Sequence, residues 1–244
     1  MGDPLILASF IMEAVFWIGA YVLIVRGSFR ERIHFMPVAA MCGNIGWEFI
    51  LGLDLFPPCP VYWADCPDFI MRPATLGAAL LDVVILYTIL RFGRDQFRFP
   101  AIRKYFTPLV LGGVALGFAL NYGVMSEMYT LNVYQAPVDG VIPEYLQAGL
   151  QGGLYTGWGL ALMMGILFIA MFFSRGDLRG QSFLIALFMF LGNLGAYFFD
   201  LTATGGRLIP LLHLLAIPSL GINVAYVVLL YRRSRAEGVN PWKI

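Results

Sequence analysis

Glu48 and Asp200, two carboxyls set deep in apolar sequence, are the residues best suited to chemistry in this chain. A carboxyl at such depth costs at least about 2.5 kcal/mol, so each one asks for a reason. A carboxylic acid in a dry site is a Brønsted acid for a lipophilic substrate, and a second carboxyl nearby can relay its proton. Aromatic faces can stabilise a cation that develops beside them. Glu13 and Asp82 are equally deep, but either could be a hydrogen-bonded acid that only fixes packing. Asp54 is close enough to the end of its apolar stretch to reach the headgroups and reads as interfacial.

Other chemistries lack their residues. The only lysines are Lys104 and Lys243, both on the basic side of the chain, so no Schiff-base lysine for retinal lies in the last apolar stretch. His34 and His213 are the only histidines, with no HExxH or cysteine cluster, which argues against a metal hydrolase. There is no P-loop or dinucleotide fingerprint, no DDxxD run for magnesium-assisted ionisation of a prenyl diphosphate, and no DxDD acid motif. No cofactor is expected. A net charge of +1 gives no reason to expect nucleic acid, and no obligate protein partner is implied.

These acids need elements that can hold them in an apolar surround. The chain has 244 residues, 59% hydrophobic and only 13% charged. A soluble domain carries about 25% charge, so there is too little polar surface to cover a globule of this size. The composition predicts an all-α membrane protein with one transmembrane domain over 1–244. Seven stretches reach the roughly 20 residues a spanning helix needs: about 4–25, 36–56, 73–92, 106–125, 145–173, 183–203 and 208–231. The fifth is long enough to tilt or to begin outside the bilayer. No basic residue precedes the first, so it is expected to remain rather than be cleaved as a signal.

Orientation follows from the basic residues. Of the 16 Lys and Arg, all but Arg72 and Arg207 follow the first, third, fifth and seventh stretches. The expectation is an N-terminus outside, a C-terminus inside, and a multi-pass protein of a bacterial inner membrane or the endoplasmic reticulum. Cys59 and Cys66, in the proline-rich connector after the second stretch, are then candidates for a loop-closing disulfide on an oxidising face. Cys42 reads as a small apolar filler.

The chain also repeats. Arg26-Gly27, Arg30 and Gly43-Asn44-Ile45-Gly46 recur as Arg175-Gly176, Arg179 and Gly192-Asn193-Leu194-Gly195, all at an offset of 149 residues. This predicts a 3+1+3 duplication, with halves at about 4–104 and 145–235, a linker helix at 105–125, and a pseudo-twofold axis along the membrane normal. Under the offset Asn44 matches Asn193, Glu48 matches Tyr197, and Asp200 matches Leu51. Asn44 with Glu48, and Asn193 with Tyr197 and Asp200, are spaced to share one helix face each. Those faces are expected to meet across a cavity that opens outward or towards the outer leaflet. Asn121 and Tyr122 on the fourth stretch, Gln147, Gln151, Tyr155 and Trp158 on the fifth, and His213 on the seventh lie at similar depth. Each also suits a plainer role, as hydrogen-bonding glue between helices or as an interfacial aromatic.

Gly43-Asn44-Ile45-Gly46-Trp47-Glu48-Phe49 resembles the G-N-x-x-W-E signature of the integral-membrane terpene cyclases. Those enzymes serve fungal meroterpenoid and indole-diterpene pathways, with bacterial relatives acting on prenylated indoles. They are of similar size, with about seven spans and no metal. The family's second essential carboxylate falls at Asp200, in Tyr197-Phe198-Phe199-Asp200. The resemblance implies protonation of a terminal epoxide or alkene on a farnesyl or longer prenyl chain, cyclisation of the polyene cation, and loss of a proton. Glu48 and Asp200 are then the acid and its partner, in either order. Asn44, Asn193 and Tyr197 would orient them, Trp47 and Trp158 would face the cation, and Tyr155, Gln151 and Asn121 are further candidates to line the substrate site. The expected partners are a lipophilic prenylated small molecule and membrane lipid. A competing reading is a small-solute or proton-coupled transporter, whose 3+1+3 plan is similar. It lacks a PQ-type motif, and Pro218 is one of few prolines that interrupt the helices. A seven-span receptor would lack any sizeable inner loop for a partner.

Overall fold

Proline and glycine punctuate the apolar runs. The computed structural model of the chain describes residues 4–53, 55, 68–131, 144–203 and 210–242. Asp54, Cys59, Cys66, Arg207 and Lys243 lie outside them, as do the side chains of Arg72, Gln147 and Gln151. The described residues form helices α1 (Pro4–Glu31), α2 (Val38–Gly52), α3 (Asp68–Phe92), the short α4 (Pro100–Lys104), α5 (Phe106–Leu131), α6 (Glu144–Arg175), α7 (Phe183–Ala203) and α8 (Pro210–Ala236), with one 3-10 turn at Arg94–Gln96. Pro37 precedes α2 and Pro100 opens α4, positions where a missing N–H costs nothing. Pro73 and Pro218 sit within α3 and α8, which continue through them.

Six of these helices, α1, α3, α5, α6, α7 and α8, are long and apolar enough to cross a membrane. The second predicted stretch, 36–56, is shorter than expected: α2 has 15 residues. At 1.5 Å per residue it rises about 22 Å, less than the roughly 30 Å hydrocarbon core. Its helix stops where Leu53 N–H bonds to the Phe49 carbonyl and Leu55 N–H reaches back to Ile50.

Close approach between helices depends on glycine at two seams. On α7, a side chain at Gly195 would meet the Glu13 backbone nitrogen at 2.5 Å, and one at Gly192 would meet the Trp17 ring at 2.7 Å. On α2, a side chain at Gly46 would meet Phe118 Cα of α5 at 2.7 Å, and one at Gly43 would meet Leu160 of α6 at 2.6 Å. Small residues at such seams let backbones come together where lipid supplies no hydrophobic drive between helices. α3 packs against both α1 and α2, and α8 packs against both α6 and α7. α5 wedges between α2 and α6, whereas α1 and α7 pack directly along their length.

The basic helix ends gather at one end of the bundle. Gly180 N–H donates to Glu31 Oε2 at 3.0 Å, and Arg175 donates to the His34 carbonyl at 2.9 Å. Arg233 donates to the Gly176 carbonyl at 2.9 Å, and Phe29 packs edge-on against Phe92 with centroids 6.0 Å apart. At that end an Arg175 N–H also faces His34 Nε2 at 3.1 Å, so His34 accepts through Nε2 as a neutral ring. Burial and the Arg175 charge push the His34 pKa down to about 3.

Candidate active site

α1 presents one face to the other half of the bundle. Phe10, Glu13, Trp17 and Tyr21 recur at three- and four-residue spacing, so they share a stripe. That stripe lines a cavity of about 140 Å³ whose other walls come from α2, α3, α6 and α7. The walls carry Asn44, Trp47 and Glu48 from α2, Trp158 from α6, and Asn193 and Asp200 from α7. Wall residues near the N-terminus of α1 and α3, and near the C-terminus of α2 and α7, set the cavity in the half of the bundle away from the basic ends.

Glu48 is held at one end of the cavity. Tyr21 O–H donates to Glu48 Oε1 at 2.9 Å. The Asn44 amide donates to the Tyr21 oxygen at 2.6 Å and to Asp82 Oδ2 at 2.8 Å, with a longer contact to Glu48 Oε1 at 3.4 Å. All four residues are buried, Asp82 completely. Both donors converge on Oε1, and among the described residues nothing bonds to Glu48 Oε2. Asp82 is behind Asn44 and does not line the cavity. Its Oδ1 has no partner among the described residues.

Asp200 is held separately. Trp158 Nε1–H donates to Asp200 Oδ2 at 2.5 Å. Behind Trp158 stand Tyr197, edge-on with centroids 6.2 Å apart, and His213, whose Nδ1 is 3.0 Å from the Tyr197 hydroxyl. The ring of Phe199 stands edge-on to Phe10 of α1 at 6.3 Å, which levels Asp200 with the N-terminal turns of α1.

Of the residues expected from sequence, Glu48, Asp200, Asn44, Trp47, Asn193 and Trp158 come together around one cavity. Trp47 donates its indole N–H to the Gly153 carbonyl at 3.2 Å and to Thr156 Oγ1 at 3.1 Å, which pins α2 to α6. Asn193 Nδ2 is buried without a partner among the described residues. Tyr197 and Tyr155 instead pack in a cluster with Trp158, Leu212 and Ala216, outside the cavity wall. Asn121 faces the α2 seam, where its amide donates to the carbonyls of Gly43 at 2.8 Å and Gly117 at 2.9 Å. The sequence reading passed over Tyr21, Trp17 and Phe10. The stripe they form with Glu13 was the signal that could have found them.

The cavity therefore offers carboxyls at separate points, aromatic walls and few other polar groups. Among the described residues no group of three or more His, Cys, Asp or Glu could hold a metal. The family described as Pyr4-like transmembrane terpene cyclases matches the chain over residues 3–202, an interval that contains Glu13, Glu48, Asp82 and Asp200. The chain is 26% identical over 195 residues to the Pyr4-family terpene cyclase mfmH of Annulohypoxylon moriforme, covering 80% of this chain and 67% of that protein. It is 23% identical over 176 residues to the terpene cyclase andB of Emericella variicolor, covering 67% and 71%. It is 21% identical over 239 residues to the terpene cyclase pyr4 of Aspergillus fumigatus, covering 94% and 87%. No solved structure matches the chain.

Proposed function

Because the chain belongs to the Pyr4-like transmembrane terpene cyclases, we propose that it is a membrane enzyme that protonates the end of a prenyl chain and cyclises the resulting cation. The substrate is a farnesyl or geranylgeranyl group on an acceptor, carrying a terminal epoxide or alkene. An epoxide oxygen is far more basic than an alkene carbon and is the easier target. The observation that carries this reading is one aromatic-walled cavity with Glu48 and Asp200 both in its lining.

Glu48 gives its proton from Oε2 to the epoxide oxygen. The C–O bond breaks to leave a hydroxyl, and the neighbouring alkene attacks the electron-poor carbon. As charge builds on the carboxylate, Tyr21 O–H and the Asn44 amide already point at it. Donors fixed in place before the charge forms need no reorganisation, which is the main electrostatic contribution to such a step. The indoles of Trp17, Trp47 and Trp158 face the ring-forming region and stabilise the travelling cation. Asp200, anchored by Trp158, is the second carboxyl of the cavity and the partner of Glu48 in the reaction. A cavity of about 140 Å³ is the size that holds a single aromatic ring. The prenyl chain therefore extends through the cavity mouth or widens it on binding.

Seven spans, with the N-terminus outside and a 3+1+3 duplication, belong to the same proposal. The helix pairings support it: α3 on α1 and α2 corresponds to α8 on α6 and α7, and Gly43 against α6 corresponds to Gly192 against α1. The family assignment favours cyclisation over transport.

Membranes containing the protein, incubated with farnesylated and geranylgeranylated acceptors with and without the terminal epoxide, are expected to form new rings read by mass spectrometry and NMR. Glu48→Gln and Asp200→Asn should each lower ring formation by about 100-fold or more. If no substrate cyclises, or both variants stay active, the proposal fails.

A further inference from the structure

Three of the four acids deep in the apolar helices have side-chain hydrogen-bond partners. Glu48 has Tyr21 and Asn44, Asp82 has Asn44, and Asp200 has Trp158. Glu13 is the exception. It lines the same cavity, yet among the described residues it makes no hydrogen bond or ion pair, and its charged neighbours are Asp200 first and Glu48 second. A structural acid in an apolar helix should show the partner that offsets its burial. Nor is its position accidental, because Gly195 brings the α7 backbone against the backbone of Glu13 and fixes its height in the bundle.

That height matters. Glu13 is eight residues before Tyr21 on α1, so its Cα stands about 12 Å further along the helix axis than that of the residue that holds Glu48. Phe10 and Trp17, one turn to either side of Glu13, line the same cavity. A polyene that starts to cyclise at Glu48 and folds along this wall ends with its cation beside Glu13, between two aromatic faces.

Resting on the cyclase reading above, we infer that Glu13 is the base that ends the reaction and so decides where the product's double bond lies. The C–H bond next to the final cationic carbon breaks, its electron pair becomes the new C=C bond, and the proton passes to a Glu13 carboxylate oxygen. One proton has then left Glu48 and one has arrived on Glu13. Water admitted as the product leaves returns it, so the reaction is a net isomerisation. Asp200 is less suited to this step, because its Oδ2 is engaged by the Trp158 N–H. Both Glu13 oxygens are open to a C–H bond.

The test is the product ratio, measured in membranes with the epoxide substrate that the wild type cyclises. Glu13→Gln keeps the shape and removes the base. It is expected to lower the share of the native alkene at least tenfold, in favour of alkene isomers and the water-captured alcohol. Glu13→Asp, with a shorter reach, should give an intermediate ratio. An unchanged ratio in Glu13→Gln overturns the inference, whether or not total turnover falls, since a purely structural role would lower turnover without redirecting the cation. A shift seen in Asp200→Asn but not in Glu13→Gln overturns it as well. Wild-type membranes that form no ring from any prenylated acceptor would instead refute the cyclase reading itself.

Discussion

At the scale of single residues, the chain accepts a cost that a purely structural helix bundle would avoid. Each carboxyl in the apolar helices forgoes at least about 2.5 kcal/mol, and Glu13, Glu48, Asp82 and Asp200 all line or back one cavity. Sequence alone marked all four, because an acid in an apolar run stands out. It could not separate them, since depth is shared and only partners distinguish their roles. Asn44 shows the difference most clearly. Its spacing from Glu48 predicted a shared face, but its bond to Asp82 on α3 depends on helix packing that no local pattern encodes. Away from the cavity, His34 offers a test of how burial sets protonation. Its folded pKa of about 3 lies below the usual 6.5, so the unfolded chain binds the extra proton between those values. Stability from this site is full above about pH 6.5 and is lost as pH falls towards 3, with a ceiling on the order of 5 kcal/mol. Unfolding of the detergent-solubilised protein should show that acid loss, and His34→Gln, which keeps an acceptor for Arg175, should flatten it.

At the scale of elements, the repeated Gly-Asn-x-Gly segment does the same physical work in both places. One copy lets α2 approach α5 and α6, the other lets α7 approach α1, and each turns its asparagine into the cavity wall. The repeat was legible as spacing, yet its purpose was not, because a glycine pair reads alike in a flexible segment and in a tight seam. A methyl group at Gly195 has to displace the α1 backbone. Gly195→Ala is therefore expected to destabilise by about 1–3 kcal/mol. Gly112→Ala on exposed α5, where nothing lies within 4 Å, should be neutral or gain up to about 1 kcal/mol of helix propensity. Thermal unfolding of the two variants side by side checks this, and equal effects would argue against the seam. Asn121 and Tyr197 are the complementary lesson. Both lie at the depth of the site, but one bonds to α2 and the other to His213 behind Trp158. Depth is a one-dimensional property; facing is decided by rotation of the helix against its neighbours.

At the scale of the whole molecule, the charges divide into those that crowd one end of the bundle and the acids buried towards the other. Thirteen arginines and lysines end or follow helices that meet at the basic end, from Arg26 and Arg91 through Arg175 to Arg235. If the basic end is inside, a cysteine introduced by Leu55→Cys in an otherwise cysteine-free chain should react with an impermeant thiol reagent in sealed cells or vesicles. Arg98→Cys should react only after permeabilisation, and the reverse pattern would invert the orientation. Composition alone determined the class of protein, since 13% charge cannot clothe a soluble globule. It also determined which helices are apolar enough to cross and which acids are out of place, because the cost of burying charge is local to each residue. The tertiary structure decided that Tyr21 holds Glu48, that Trp158 holds Asp200, and that Glu13 is held by neither. It also decided that the helix in the second apolar stretch, α2, has only 15 residues. Those outcomes depend on which helices pack together and at what height, and packing is set by side-chain volumes summed across the bundle rather than by any one segment.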